Sequence, residues 1–506
     1  MHRKSKTIPR DDSFHVPDID ASILYRGGRC RRRLAAARHG GETPQEAVAR
    51  EDRRVLRELY FASARADGDA TGQADDEPVD AGWQPDVTNE AVRAGAPVDR
   101  ALLSAPLEGL RLVQAVERLI PQGDGGCRVC LVRPVIRLRG EVELEAALAA
   151  HLLRQAGSSA DHLRVVFARR NYVRDEHIDP KELLQEGDVG RRAHARRNGL
   201  EEQLAVLPAL MKDEPIPGDY HCGDPRCDFC NPPRHLLPTD HVRHLLHGRE
   251  AAEELMDLGV TRMEDIPADF SLTTGQRRQV DACRRNRIHL DRERLRNFLE
   301  LVTYPIGLLD FEAVSRIVPR QPGVRVGQHV PFLYSLHQAA EPGRLTGHIW
   351  AGEGDVAPEA FAESLLESLA AVKTILAFGA GFERRMLSFL GGRVPACAVD
   401  LEKAAESIVD LAVPFQRVWI YHPEQRGGLS LKRIARALAG VDYDDLGLSD
   451  GGDANSLYAS AQDAESVSQE LMNQLVAYCS RDTRALGELF FALERLVGLQ
   501  DRRRHG

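Results

Sequence analysis

A chain of 506 residues is too long for one ordinary core and, at roughly 150 residues per unit, implies about three units. Its 43% hydrophobic and 28% charged composition is that of a globular protein. No apolar run approaches the ~18 residues of a spanning helix, which excludes an integral helical membrane protein. The net charge of −9 argues against nonspecific coating of nucleic acid, though it leaves room for local basic patches. The N-terminal stretch MHRKSKTIPRDDSF is basic without an apolar h-region, so the expected location is the cytoplasm.

In chain order, residues 1–20 are polar and expected to be disordered, and RGGRCRRR (26–33) is the first of three Arg-rich stretches. The Asp-, Gly- and Ala-rich segment 64–86 has little to bury and predicts a long loop. Short apolar runs between Leu110 and Leu138 predict strands around a GDGG turn, VELEAALAAHLLRQ predicts a helix, and LRVVFARR a further strand. Cys127 and Cys130 form a CxxC inside a predicted strand, where buried or partly exposed thiols are favoured over a metal site because alternate faces separate the partners. Three of the nine cysteines, Cys222, Cys227 and Cys230, crowd into HCGDPRCDFCNPP, a spacing that points to metal ligation in a reducing compartment. RRAHARR (191–197) and RRNRIHLDRERLR (284–296) complete the Arg-rich stretches, which either follow a phosphate backbone or are solvated helix faces.

Residues 234–300 predict a helical connector. After them, TYPIGLLDFEAV delivers Asp310 and Glu312 at the end of an apolar run. Strand side chains alternate, so these carboxylates share a face, and a hard divalent cation between them relieves their repulsion. ILAFGAGFERRMLSFL predicts a strand, a Gly-rich turn and a helix with Glu383 near its start. LVAYCSRDTRALGELFFAL predicts an amphipathic helix whose Tyr478 and Asp482, four residues apart, lie on one face. Each element alone is common; their order and spacing together are specific.

With these motifs in place, the chain resembles bacterial proteins that join a RecB-like nuclease module to a C-terminal DnaQ-like exonuclease domain of unknown function. The resemblance covers nearly all of the chain after residue 20. In the C-terminal part it rests on YPIGLLDFEAV, GVRVGQHVPFLYSLHQ, FGAGFERRML, IVDLAVPF, GGLSLKRIARAL, YDDLGLSDGGDANSLY and YCSRDTRAL. It implies an α/β protein: a DEDD-type, RNase H-like mixed sheet flanked by helices over 301–498, preceded by a degenerate RecB-like (PD-(D/E)xK) α/β module over 21–233. The connector lies between them and a basic tail, 499–506, follows.

By the same resemblance Asp310 and Glu312 form the first motif, Glu383 stands for the more usual Asp of the second, and Tyr478 with Asp482 form the third. The expected cofactors are two Mg2+ or Mn2+ ions, ~3.5 to 4 Å apart, with Asp310 bridging them and Tyr478 positioning the attacking water. The family commonly has Asn where this chain has Gly379. Asp410 either orients the site or caps a local turn. Cys30 resembles the cysteine that opens RecB-like modules carrying a 4Fe-4S cluster, with Cys222, Cys227 and Cys230 as the closing trio, here more compact than usual; four thiolates suit an iron–sulfur cluster or zinc. The RecB-like metal-site positions fall near Val116, Leu131, Arg133 and Ala149, so that module is expected to be inactive. The expected function is 3′-to-5′ hydrolysis of DNA or RNA by the C-terminal domain, without a membrane partner. The alternative is a nonenzymatic nucleic-acid-binding scaffold, or an adaptor for repair or phage-defence partners.

Overall fold

The computed structural model describes residues 18–27, 30, 44–66, 78–94, 96–122, 125–211, 236–351, 357–443, 451–463 and 467–499. The chain is mixed α/β with open sheets and falls into two compact units, one within residues 1–42 and 49–230, the other within 43–48 and 231–506. No described helix is long and apolar enough to cross a membrane.

The first unit is built on a seven-stranded sheet. Its strands are β1 (Asp18–Ile19), β2 (Val79–Asp80), β3 (Val98–Leu107), β4 (Leu110–Pro121), β5 (Gly126–Val132), β6 (Ser159–Ala168) and β7 (Leu184–Asp188). Strands β3, β4 and β5 form an antiparallel meander, and β6 returns parallel to β5 after a crossover. Two helices matter to this sheet: α1 (Pro44–Ala66) and the crossover helix α2 (Glu141–Gln155). Alanines at 146, 147, 149 and 150 let α2 lie close to the strands, and all are buried. The loop predicted over 64–86 is shorter than expected. Helix α1 runs to Ala66, Val79–Asp80 pairs with β3, and Pro85, pre-set for a first helical position, starts another helix.

The second unit opens with helices α3 (Arg249–Asp257), α4 (Thr274–Arg284) and α5 (Arg292–Leu299). Thr273 and Gln276 close a capping box on α4. Between α4 and α5, β8 (His289–Leu290) pairs with β14 (Ile420–Tyr421). The connector segment is therefore part of the same unit as the strands that follow.

Those strands are β9 (Ile306–Ser315), β10 (His329–Ala339), β11 (Thr346–Ala351), β12 (Thr374–Ala377) and β13 (Ile408–Asp410), in the spatial order β11-β10-β9-β12-β13. The first three pair antiparallel, and β12 and β13 continue parallel to β9. Helices α6 (Pro358–Leu369), α7 (Gly381–Arg393), α8 (Leu431–Ala439), α9 (Gly451–Asp463) and α10 (Gln469–Val497) accompany the sheet. Being central and covered on both faces, β9 reads as an apolar run, and the carboxylates Asp310 and Glu312 are the exceptions within it.

Helix α10 is the longest element, capped by the Ser468 hydroxyl at its start and by left-handed Gly498 at its end. Gly487 lets it approach β9: a Cβ there meets Leu345 at 3.0 Å and Leu308 at 3.4 Å. Gly487→Leu should therefore lift the helix and destabilise this unit by about 1–3 kcal/mol in chemical denaturation, whereas Arg484→Leu on the exposed face should change it by no more than about 0.5 kcal/mol. Equal effects from the two substitutions would contradict the close approach.

Candidate functional site

The acidic constellation assembles in the second unit from β9, α7 and α10. Glu312 and Glu383 are buried, Asp310 and Asp482 half-buried. Ligand atoms of Asp310, Glu312 and Cys479 lie within 4.8 Å of one another. The Cys479 thiol donates to Asp310 Oδ2 at 3.3 Å. Burial and the nearby charges of Asp482, Glu312 and Glu383 act on Asp310, while among the described residues only Asp310, Glu312 and Cys479 bring their ligand atoms that close together.

Backbone geometry sets that convergence. Across the ladder Ser335 of β10 is the partner of Asp310, and its hydroxyl meets Thr483 Oγ1 at 2.7 Å. His337 Nδ1 meets the same hydroxyl at 2.8 Å. Thr483 is the neighbour of Asp482, so this buried hydroxyl network fixes α10 against the strand pair that carries the first two acids. The β9–β10 register shifts between Pro331 and Leu333, opposite Ala313 and Glu312, a local irregularity that re-aims side chains beside the site.

Glu383 is held differently. Ala380 precedes α7 and cannot cap it, and the carboxylate of Asp410, at the end of β13, takes its place. It accepts from the Gly379 and Ala380 N–H groups at 2.8 and 3.1 Å, and from Ala412 N–H at 2.9 Å. Asp410 thus caps the turn, and in doing so positions the helix that carries Glu383. Gly379 has φ +80°, the left-handed region that Gly and Asn tolerate best.

Burial pushes all four acids toward their protonated forms. It raises Asp310 well above the usual carboxyl range, with Asp482, Glu312 and Glu383 adding to the effect. Burial and Asp482 push Glu312 up to about 8 against the opposing charge of Lys432. Burial lifts Glu383 to about 7. Asp482 is raised by burial despite Tyr443, Lys432 and Tyr478, which favour its charge. Asp482 Oδ1 and Glu383 Oε2 are buried and meet no hydrogen-bond partner among the described residues. Oxygen-rich, anionic and incompletely satisfied, the set fits hard divalent cations.

Sequence reasoning missed three members. Lys432, in the first turn of α8, lies 4.4 Å from the Tyr478 ring centroid and 5.2 Å from that of Tyr443. The Tyr443 hydroxyl faces Asp482 without settling into hydrogen-bond geometry. Cys479 is the third, next in sequence to Tyr478. The segments GGLSLKRIARAL and YDDLGLS contain the first two, but only the fold brings them to the acids.

The first unit holds a second buried charge cluster. Glu117, one residue beyond the expected acid position at Val116, is fully buried on β4. It accepts from Arg133 at 2.8 Å, Val132 N–H at 2.8 Å, Arg57 at 2.9 Å and Arg53 at 3.2 Å. Arg133 also pairs with Glu145 of α2. Burial opposes ionisation of Glu117, but Arg133, Arg53 and Arg57 outweigh it and hold the carboxyl down to about 2. Leu131 and Ala149 are buried and apolar, as expected.

Cys127 and Cys130 are buried in β5, and burial pushes the Cys130 thiol up to about 12. Cys30 is buried; Cys222, Cys227 and Cys230 lie outside the described residues. The second and third Arg-rich stretches are in large part engaged with the protein itself, mostly with neighbouring elements. Arg196 and Arg197 pair with Glu143 and Glu201, Arg284 donates to the carbonyls of Met263, Glu264 and Ile266, and Arg296 donates to that of Val497.

Residues 307–430 match the family model for a Domain of unknown function (DUF2779). The matched stretch takes in Asp310, Glu312, Glu383 and Asp410 and ends before Lys432, Tyr478 and Asp482. No curated protein matches the chain.

The raised carboxyls give a signed pH dependence. A carboxyl that holds its proton more tightly when folded contributes stability that is complete below its ordinary value of 4.5 and lost as pH rises through about 7 to 8. In EDTA the melting temperature should therefore fall between about pH 5 and 8.5, a loss on the order of a few kcal/mol. Mg2+ or Mn2+ should reverse the fall, with a larger stabilisation at higher pH. A metal-induced shift that does not grow with pH, or that survives Asp310→Asn with Asp482→Asn, would place the cation elsewhere.

Proposed function

We propose that this chain is a metal-dependent exonuclease that hydrolyses phosphodiester bonds of nucleic acid from the 3′ end, with its catalytic centre in the second unit. The observation that carries this reading is the close approach of Asp310 and Glu312 on β9 to one another and to Cys479 of α10, with the charges of Asp482 and Glu383 acting on the same group, an arrangement that cations would relieve. The strand order β11-β10-β9-β12-β13, an antiparallel meander extended by two parallel strands, supports an RNase H-like fold for this part.

Asp310, Glu312, Glu383 and Asp482 would hold the ions, Mg2+ or Mn2+, which would supply a more acidic water and neutralise charge on the phosphate. Tyr478, one helical turn before Asp482 and beside its carboxyl, would orient the attacking water. Lys432 lies against the rings of Tyr478 and Tyr443 and adds a fixed positive charge facing Glu312 and Asp482. Asp410 acts through the turn it caps, as a positioning residue.

The first unit is read as an inactive RecB-like module that guides the strand. Its meander, crossover helix and parallel return strand support the likeness. In the cluster of Glu117 and Glu145 the compensating cation is the guanidinium of Arg133. Glu117 has its oxygens engaged by three arginines and a backbone amide, which leaves a divalent ion nothing to bind without breaking them. Cys30 with Cys222, Cys227 and Cys230 is proposed to hold a 4Fe-4S cluster, the alternative being zinc. Anaerobic purification should yield a brown protein with iron and sulfide; stoichiometric zinc without iron would replace the cluster with a zinc site.

Asp482 and Tyr478 separate the roles of ligand and orienting group. With end-labelled single-stranded DNA and RNA, Asp482→Asn should nearly abolish cleavage at every magnesium and manganese concentration. Tyr478→Phe should lose about 10² to 10⁴ and regain part of it at higher pH, where hydroxide is more abundant. Full activity in folded Asp482→Asn protein would sink the nuclease assignment and favour the scaffold reading.

A further inference from the structure

Many of this protein's arginines pair with acids, but one region does not follow that pattern. A groove of about 570 Å³ in the second unit is lined by Arg325, Arg384, Arg385, Arg393, His329 and Phe389 among others, with no acidic residue in its wall. None of the four arginines forms an ion pair among the described residues, although the whole chain carries a net charge of −9. Uncompensated positive charge concentrated in a concave wall favours a polyanion.

The groove shares helix α7 with the candidate site. Arg384 and Arg385 follow Glu383 directly on α7, and His329, at the start of β10, stands edge-on to Phe382 with centroids 5.6 Å apart. Its wall is firm. Arg393 donates to the Pro322 carbonyl at 2.7 Å, and its guanidinium lies so close over Gly323 that a Cβ there meets it at 2.2 Å. Arg384 donates to the carbonyls of Ala405 and Ile408, and Arg385 lies 5.6 Å from the centroid of Phe382. Arg325 and Arg385 remain exposed and form no ion pair among the described residues, although the Arg385 charge reaches the Glu383 carboxyl.

Guanidinium groups beside aromatic rings match a chain in which phosphates alternate with flat bases. Burial and the Arg385 charge hold His329 below its usual range, so at neutral pH the ring is uncharged and presents a face for stacking. The volume is that of a site for a compact ligand of ~300–1,000 Å³, enough for a few nucleotides and too small for a duplex. We propose that this groove binds the phosphate backbone of a single nucleic-acid strand and leads it to the carboxylates. The strand's destination rests on the nuclease reading; the binding itself does not.

Full-length protein in EDTA, where cleavage is off, is titrated with a fluorescent oligothymidylate of about 12 nucleotides across a salt series. Arg325→Gln with Arg385→Gln, both at exposed positions, should weaken binding about ten-fold and reduce the slope of log K against log salt by about 1.4, since each neutralised single-strand phosphate contributes ~0.7. Arg325→Lys with Arg385→Lys should restore the slope, which a fold defect would not allow. Unchanged affinity and slope in the double Gln variant would overturn the groove assignment. So would wild-type protein that ignores the oligonucleotide yet binds polyglutamate through these arginines, the mark of an acidic protein partner. Groove-dependent strand binding by wild-type protein that never cleaves the oligonucleotide with Mg2+ or Mn2+ would uphold the groove and sink the nuclease reading instead.

Discussion

Asp310 and Glu312 are held together on a central strand, with Asp482 and Glu383 near enough for their charges to act on Asp310, and most of the second unit can be understood as the apparatus that keeps these carboxyls in place. Asp310 and Glu312 are fixed by the central strand, whose position between antiparallel and parallel neighbours leaves it no freedom. Asp482 is fixed by a helix tied to that strand pair through Thr483, Ser335 and His337. Glu383 is fixed by a helix whose start is capped from the next strand by Asp410. Repulsion on this scale opposes folding, so its retention indicates a requirement other than stability.

The two buried charge clusters illustrate two answers to one electrostatic problem. Around Glu117 the protein supplies its own cations, and the carboxyl is held ionised and fully hydrogen-bonded. Around Asp310 the favouring charges are Lys432, acting on Glu312 and Asp482, and Arg385 with Arg384, acting on Glu383, and two carboxyl oxygens remain without a partner among the described residues. The first arrangement is closed, and removing Arg133, which bridges Glu117 and Glu145, would strip two buried acids of a partner at a cost of about 3–5 kcal/mol. The second, with those two oxygens lacking a hydrogen-bond partner, fits the proposal that cations complete it.

How much of this was legible in the sequence depended on the range of the information. Strand alternation put Asp310 and Glu312 on one face, and helical spacing put Tyr478 beside Asp482, because both signals are local. Lys432, Tyr443 and Cys479 were invisible as members of the site, since only the packing of α8 and α10 on β9 brings them to the acids. Glu117 escaped for another reason: within a strand, a one-residue error in alignment exchanges the buried polar face for the apolar one, and the reading stopped at Val116. Arginines of the Arg-rich stretches are mostly engaged with neighbouring elements, whereas the basic groove collects Arg325 with Arg385 and Arg393 of α7, and Arg384 is bound to carbonyls.

The turn before Glu383 shows how a departure from a family pattern can preserve the physics. The resemblance puts Asn where this chain has Gly379, which, judged on side-chain chemistry, is a loss. The backbone argues otherwise: at φ +80° the residue is left-handed, a conformation that costs most L-residues roughly 1–2 kcal/mol and is relieved in Gly and, to a lesser degree, Asn. Its N–H, which either residue supplies, is the group that Asp410 holds at 2.8 Å. What the turn must deliver is a strand that ends at Ala377, a sharp reversal, and a helix whose third residue is Glu383. Glycine meets that requirement by conformation alone. The longer Glu at 383 then extends the reach of its carboxyl by one methylene relative to Asp, from a helix start whose position Asp410 has already set.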